Sequence, residues 1–170
     1  MAKLVSTVYP GYFQRYIDLV KEDDLETAFK SQLPAVLAIL NGISEAKSNF
    51  AYADGKWTLK ELLQHIIDGE RIFAYRALCI SRGERQSLPG FEENEYAENS
   101  HANTRSWQSL VDEFAAVRKT TEILFESLTH EALVKVGTAN NNPATAESFG
   151  FTMIGHVNHH MGVIKERYLS

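Results

Sequence analysis

Apolar residues recur every three or four positions along four long stretches of the chain, rather than every second position, so the pattern predicts helices and an all-α fold. Leu25, Phe29, Leu33, Val36, Leu40 and Ile43 form the first stripe, with Pro34 inside it either bending the helix or marking a late start. A short turn or helix around Tyr12 to Val20 precedes it. The second helix has the clearest beginning, because Thr58 and Glu61 have capping-box spacing and Trp57 and Leu62 occupy the staple positions around it. It should end near Gly83. The third runs from about Ser106 to Ser127 on Trp107, Leu110, Phe114, Val117 and Leu124, with Leu128 just beyond. The fourth starts near Thr145, after the turn-rich Asn140-Asn-Asn-Pro143, and continues to the C-terminus through Phe149, Met153, Val157, Val163 and Ile164.

Four such helices imply a bundle. The connection from Glu84 to Arg105 is long for one, contains Leu88-Pro-Gly-Phe91 and carries Glu92, Glu93 and Glu95 as a solvated rim, with the loop placed to cover a pocket mouth or supply substrate contacts. With no solenoid repeat and no Ser/Pro/Gly-rich linker, 170 residues are expected to form one domain over 1–170.

Composition narrows the function. Eighteen aromatic residues (nine Phe, seven Tyr, two Trp) can build a real core, which excludes a disordered chain. Seventeen Lys and Arg against twenty-two Asp and Glu leave a net charge of −5, so no basic field would draw nucleic acid to the surface. The single cysteine, Cys79, cannot form an intrachain bridge, and its neighbours Leu78 and Ile80 suggest a buried, reduced thiol. The N-terminal residues lack the apolar run of a leader, and no stretch approaches the roughly 20 apolar residues of a membrane span, so a soluble, cytoplasmic protein is expected.

Candidate chemistry sits on the fourth helix, in Gly155-His156-Val157-Asn158-His159-His160. His156 and His160 are four apart and therefore about 6 Å apart on one face, close enough to share a metal ion. On a helical wheel they fall on the inward arc with Phe149 and Met153, whereas His159 lies at its edge. Core histidines making ordinary hydrogen bonds would show the same spacing. The best third ligand is His65 on the second helix, because His101 and His130 fall in loop and turn segments. Three histidines with open positions suit Zn²⁺ or Ni²⁺ and leave room for water or substrate. Glu70 lies in the middle of its helix's apolar arc and wants a cationic partner, for which Arg118 and Arg167 are both placed on inner stripes. Asp68 either orients His65 or is solvated. No P-loop, dinucleotide fingerprint or nucleophile elbow occurs.

Gly55-Lys-Trp-Thr58, Glu61, His65, Asp68, Glu70-Arg71, Tyr75-Arg76, Leu88-Pro-Gly-Phe91, Gly155-His156, His159-His160 and Lys165-Glu-Arg-Tyr168, in that order, resemble the DinB-like superfamily. This group is also called DinB/YfiT-like metalloenzymes and is unrelated to the DNA polymerase sharing the abbreviation. The resemblance implies an up-down-down-up four-helix bundle, often a homodimer, with a divalent metal at one end. On this chain its three histidines would be His65, His156 and His160, although His159 matches a position that is also often His. Relatives include thiol S-transferases that use bacillithiol or mycothiol, a mycothiol-dependent maleylpyruvate isomerase and proteins described as metal-dependent hydrolases. The expectation is therefore a metal-dependent enzyme that activates water or a low-molecular-weight thiol against a small-molecule substrate. The alternatives are a non-catalytic metal-binding stress-response bundle and a metal-free bundle.

Overall fold

A computed structural model describes residues 4–170; the first three residues, part of the N-terminal stretch read above as lacking a leader, lie outside the described residues. The long helices are α2 (Leu25–Leu40), α4 (Leu59–Ser81), α6 (Trp107–Glu126) and α8 (Ala146–Val163), and they form a four-helix bundle. Shorter helices are α1 (Gln14–Ile17), α3 (Glu45–Ser48), α5 (Glu93–Asn99) and α7 (His130–Val134).

Local chemistry sets the boundaries. Asp24 caps α2 by accepting from the Thr27 N–H, and Pro34 lies inside a helix that already begins at Leu25, so the late start is not seen. At α4 the Thr58 N–H donates to the Glu61 carboxylate at 2.8 Å while Thr58 Oγ1 accepts from the Glu61 N–H, completing the capping box. At its far end Gly83 takes φ +89°, and the Glu84 and Gly83 N–H groups donate to the carbonyls of Cys79 and Ile80, a Schellman ending. Cys79 is a free thiol there, half-buried rather than buried, because this last turn is covered on one side only.

Helix direction follows from contacts at one end of the bundle. The Trp107 indole N–H donates to the Leu40 carbonyl, Thr58 Oγ1 bonds Asn103, and the Tyr168 hydroxyl donates to the Trp57 carbonyl. The ends of α2 and α8 and the beginnings of α4 and α6 therefore meet, giving up-down-down-up. Helices α6 and α8 each pack against both α2 and α4, so α2 and α4 lie diagonally, each flanked by α6 and α8. Because α4 and α6 run the same way, the chain between them must climb back about 34 Å, the length of the 23-residue α4. That return explains the long connection, which folds α5 and a 3₁₀ turn (Ala102–Thr104) rather than lying as a bare loop.

A hairpin not expected from the sequence joins α7 to α8, pairing β1 (Val136–Ala139) with β2 (Asn142–Thr145). Its two-residue turn, Asn140-Asn141, has φ of +48° and +59°, a conformation that Asn tolerates better than most side chains. The Leu88 N–H donates to the Thr138 carbonyl and the Asn140 N–H to the Leu88 carbonyl, so the hairpin holds the 88–91 segment in place.

Near mid-bundle the apolar core gives way to a polar network that ties all four long helices. Arg118 on α6 makes two 2.8 Å bonds to the Glu70 carboxylate on α4, from Nε and Nη2. Its Nη1 donates to Gln32 on α2. The Gln32 amide in turn donates to the Ile154 carbonyl and to Asn158 on α8. Arg118 is fully buried and Glu70 nearly so. Arg167, the other candidate partner of Glu70, is exposed, because α8 passes into a π turn at Ile164–Tyr168 that rotates the register away from the inner face.

Candidate metal centre

His65 stands two turns inside α4, and His156 and His160 stand on the last turns of α8. Since α4 leaves the end of the bundle at which α8 arrives, the three rings meet there. His65 Nε2 and His160 Nε2 each lie 3.0 Å from His156 Nε2, and one nitrogen from each residue falls within 4.8 Å of the others. His65 and His156 are buried and His160 is half-buried.

Small residues make the approach possible. Gly69, one turn after His65, leaves room for the His156 ring, whose Cε1 lies 3.3 Å from where a Cβ would stand. Gly155 lets α1 dock on α8, for a Cβ there would sit 1.9 Å from the Tyr16 carbonyl oxygen. Aromatic rings then close around the cluster: Trp57 lies 4.7 Å from His65 between centroids, and Tyr16 and Phe73 meet His156 edge-on at 5.4 and 6.1 Å.

Burial keeps these imidazoles neutral. It pulls His65 down to about 4 and, with help from the neighbouring His65 and His159, His160 to about 3. His156 is held well below the usual histidine range by burial first and by the other histidines second. Neutral imidazole is the form that binds a metal.

The contact pattern itself tests whether a cation fits. A ring nitrogen offers one in-plane site, either a proton or a lone pair, so His156 Nε2 cannot hydrogen-bond well to both neighbours at once. A shared cation would bond all three lone pairs, and ligands about 2.0–2.1 Å from one ion would be separated by roughly 2.9 Å at octahedral angles and roughly 3.3 Å at the tetrahedral angle. The 3.0 Å separations fall within that span. The buried Nδ1 of His160 has no hydrogen-bond partner among the described residues. The donor set therefore fits a divalent ion bound by imidazole.

Other sequence candidates fall elsewhere. His159 is exposed beside Tyr16, His101 is exposed with φ +51°, and His130 is exposed at the start of α7. Asp68 is half-buried and accepts from Gln64 rather than contacting His65; burial raises its pKa. Glu92, Glu93 and Glu95 are solvated. Sequence reasoning missed Tyr16 and Phe73, for which the available signals were Gly155 beside His156 and the four-residue steps from His65 through Gly69 to Phe73.

A family model described as the DinB superfamily matches residues 28–164. No curated protein matches the sequence. Among solved structures the chain is similar to YfiT from Bacillus subtilis, described as a probable metal-dependent hydrolase with an unusual four-helix bundle topology. The TM-score is 0.72 at 16% identity, covering 97% of this chain and 91% of that one. It is also similar to a mycothiol-dependent maleylpyruvate isomerase, with a TM-score of 0.66 at 15% identity, over 82% of this chain and 58% of the isomerase. At these identities the likeness is one of fold.

Proposed function

We propose that this chain, which belongs to the DinB superfamily, is a single-domain metal-dependent enzyme whose His65, His156 and His160 hold one divalent cation, Zn²⁺ or Ni²⁺. The observation that carries this reading is the convergence of three neutral imidazoles on His156 Nε2 at distances that two ordinary hydrogen bonds cannot both satisfy. A bound cation would supply the acidity that turns water or a thiol into a nucleophile at neutral pH.

The chain's own residues set the conditions. Burial keeps the histidines unprotonated, so their lone pairs stay available throughout the neutral range. Trp57, Tyr16 and Phe73 fix the ring planes and exclude water from the flanks of the cluster. Three protein ligands leave at least one position open, which favours catalysis over a purely structural site, where four protein ligands are usual. A non-catalytic metal-binding stress-response bundle is the second reading.

The substrate is a small molecule, and the co-substrate is either water, making the protein a hydrolase, or a low-molecular-weight thiol, making it an S-transferase. No helix among the described residues is long and apolar enough to cross a membrane, and a cytoplasmic homodimer is part of this proposal. The deciding experiment mixes metal-loaded protein with an electrophilic substrate panel, with and without thiol. Turnover in water alone supports a hydrolase and turnover only with thiol a transferase. No turnover, with melting lowered by chelation, supports the non-catalytic reading.

A further inference from the structure

Arg76 has no role in the cluster described above, yet it is a costly residue to place where it is. Arg76 is 5% exposed, and among the described residues its side chain makes one hydrogen bond, from Nη2 to the Pro89 carbonyl at 2.6 Å. Among the described residues no carboxylate pairs with it. Burial disfavours its charge, and the titratable groups that act on it are the phenols of Tyr12 and Tyr96. The rings of Phe73 and Phe91 lie 5.9 and 5.8 Å from the guanidinium carbon, which offsets part of the desolvation. A guanidinium has five N–H groups and cannot be deprotonated in a protein, so most of its donors remain without a protein acceptor.

Those donors line a cleft of about 260 Å³ between α4, α5 and the 88–91 segment. Its walls carry two arginines and no carboxylate, and Arg71, the second arginine, is already engaged by Glu113. The remaining lining is largely flat and apolar: Tyr75, Phe91, Tyr96 and Ile72. The wall made by 88–91 is fixed, because Leu88 bridges to the hairpin and a Cβ on Gly90 would stand 2.7 Å from the Asn140 side chain. The volume falls just below the roughly 300 Å³ at which pockets for drug-sized ligands begin, so the occupant must be small.

We infer that this cleft is a second small-molecule site, in which Arg76 receives the carboxylate of a small, flat, apolar acid whose body lies against Phe91 and Tyr96. An oxygen pair matches the planar donor edge of Arg76 bidentately, and the aromatic walls match an unsaturated or aromatic body. Phe73 separates this cleft from the histidines, touching Arg76 on one side and His156 on the other. The assignment does not rest on a cation at the histidines.

The test is calorimetric titration of the full chain in chelator, so that the histidine cluster cannot bind the probe through a metal. Benzoate is the probe and benzamide, of the same shape but uncharged, the control. Saturable benzoate binding at least tenfold tighter than benzamide, lost in Arg76→Gln, is expected. Should Arg76→Gln fail to fold, the wild-type comparison decides, together with benzoate-induced amide shifts expected over residues 88–96. No saturable benzoate binding, equal binding of the two probes, or shifts confined to other parts of the chain would each overturn the assignment.

Discussion

His65 Nε2 and His156 Nε2 lie 3.0 Å apart although 91 residues separate them in sequence. Two imidazoles at that distance cannot both be protonated on the facing nitrogens, and burial already holds His65 at about 4 and His160 at about 3. In the unfolded chain these histidines return to about 6.5 and take up protons there first. Their lowered folded pKa values mean that the unfolded chain binds more protons between about pH 6.5 and 4, so stability is full above that window and falls as pH drops through it. Each of the two histidines contributes up to about 1.4 kcal/mol per pH unit within it. Urea midpoints of metal-free protein measured from pH 7.5 to 4.5 should fall accordingly; a flat profile would contradict the buried, neutral cluster.

Cation binding should separate the histidines sharply. His65→Ala, His156→Ala and His160→Ala are each expected to lose tight binding of Zn²⁺ or Ni²⁺, by at least a hundredfold, whereas His101→Ala and His159→Ala should retain it. Stoichiometry by elemental analysis of protein purified without a metal-binding tag reads this out. A larger effect at His159 than at His160 would reverse the ligand assignment.

Glu70→Ala leaves the Arg118 guanidinium buried beside the empty space of its partner, with Gln32 as its remaining side-chain acceptor. A loss of roughly 3–5 kcal/mol is expected, as for other broken buried pairs. Chemical denaturation checks this, and an unchanged melt would remove the pair from the account of stability.

Gly155→Ala should act on the site without touching a histidine. The added methyl would collide with the Tyr16 backbone, which as main chain cannot swing aside. Displacing α1 costs about 1–3 kcal/mol or more and takes the Tyr16 ring off His156. Tyrosine fluorescence and thermal stability should change together, while a substitution that left both unaltered would show that α1 is not seated there.

The long helices were legible because their apolar stripes and caps agree: Thr58 with Glu61 marks a start that periodicity alone places less sharply. The histidine cluster was legible in part, since i to i+4 spacing puts His156 and His160 on one face, while bringing His65 to them needs the direction of α4 relative to α8. Strands of four residues are too short to display alternation, and Pro143 reads as a breaker, so the hairpin stayed hidden despite its Asn140-Asn141 turn. Glu93–Asn99 is largely polar and presents no stripe for a periodicity argument to find. Arg118 and Arg167 could not be distinguished as partners of Glu70 because the π turn that rotates Arg167 outward is a register change, not a composition signal.

The 84–105 return, required by the parallel course of α4 and α6, divides the chain into two halves with two long helices each, α2 with α4 and α6 with α8. His65 belongs to one half, His156 and His160 to the other. A cut in that return would thus yield two fragments, neither of which owns the triad, so docking of the fragments and creation of the site would be a single event. Any ion held there would act as a clasp between them, reporting by its retention that both pieces had found each other.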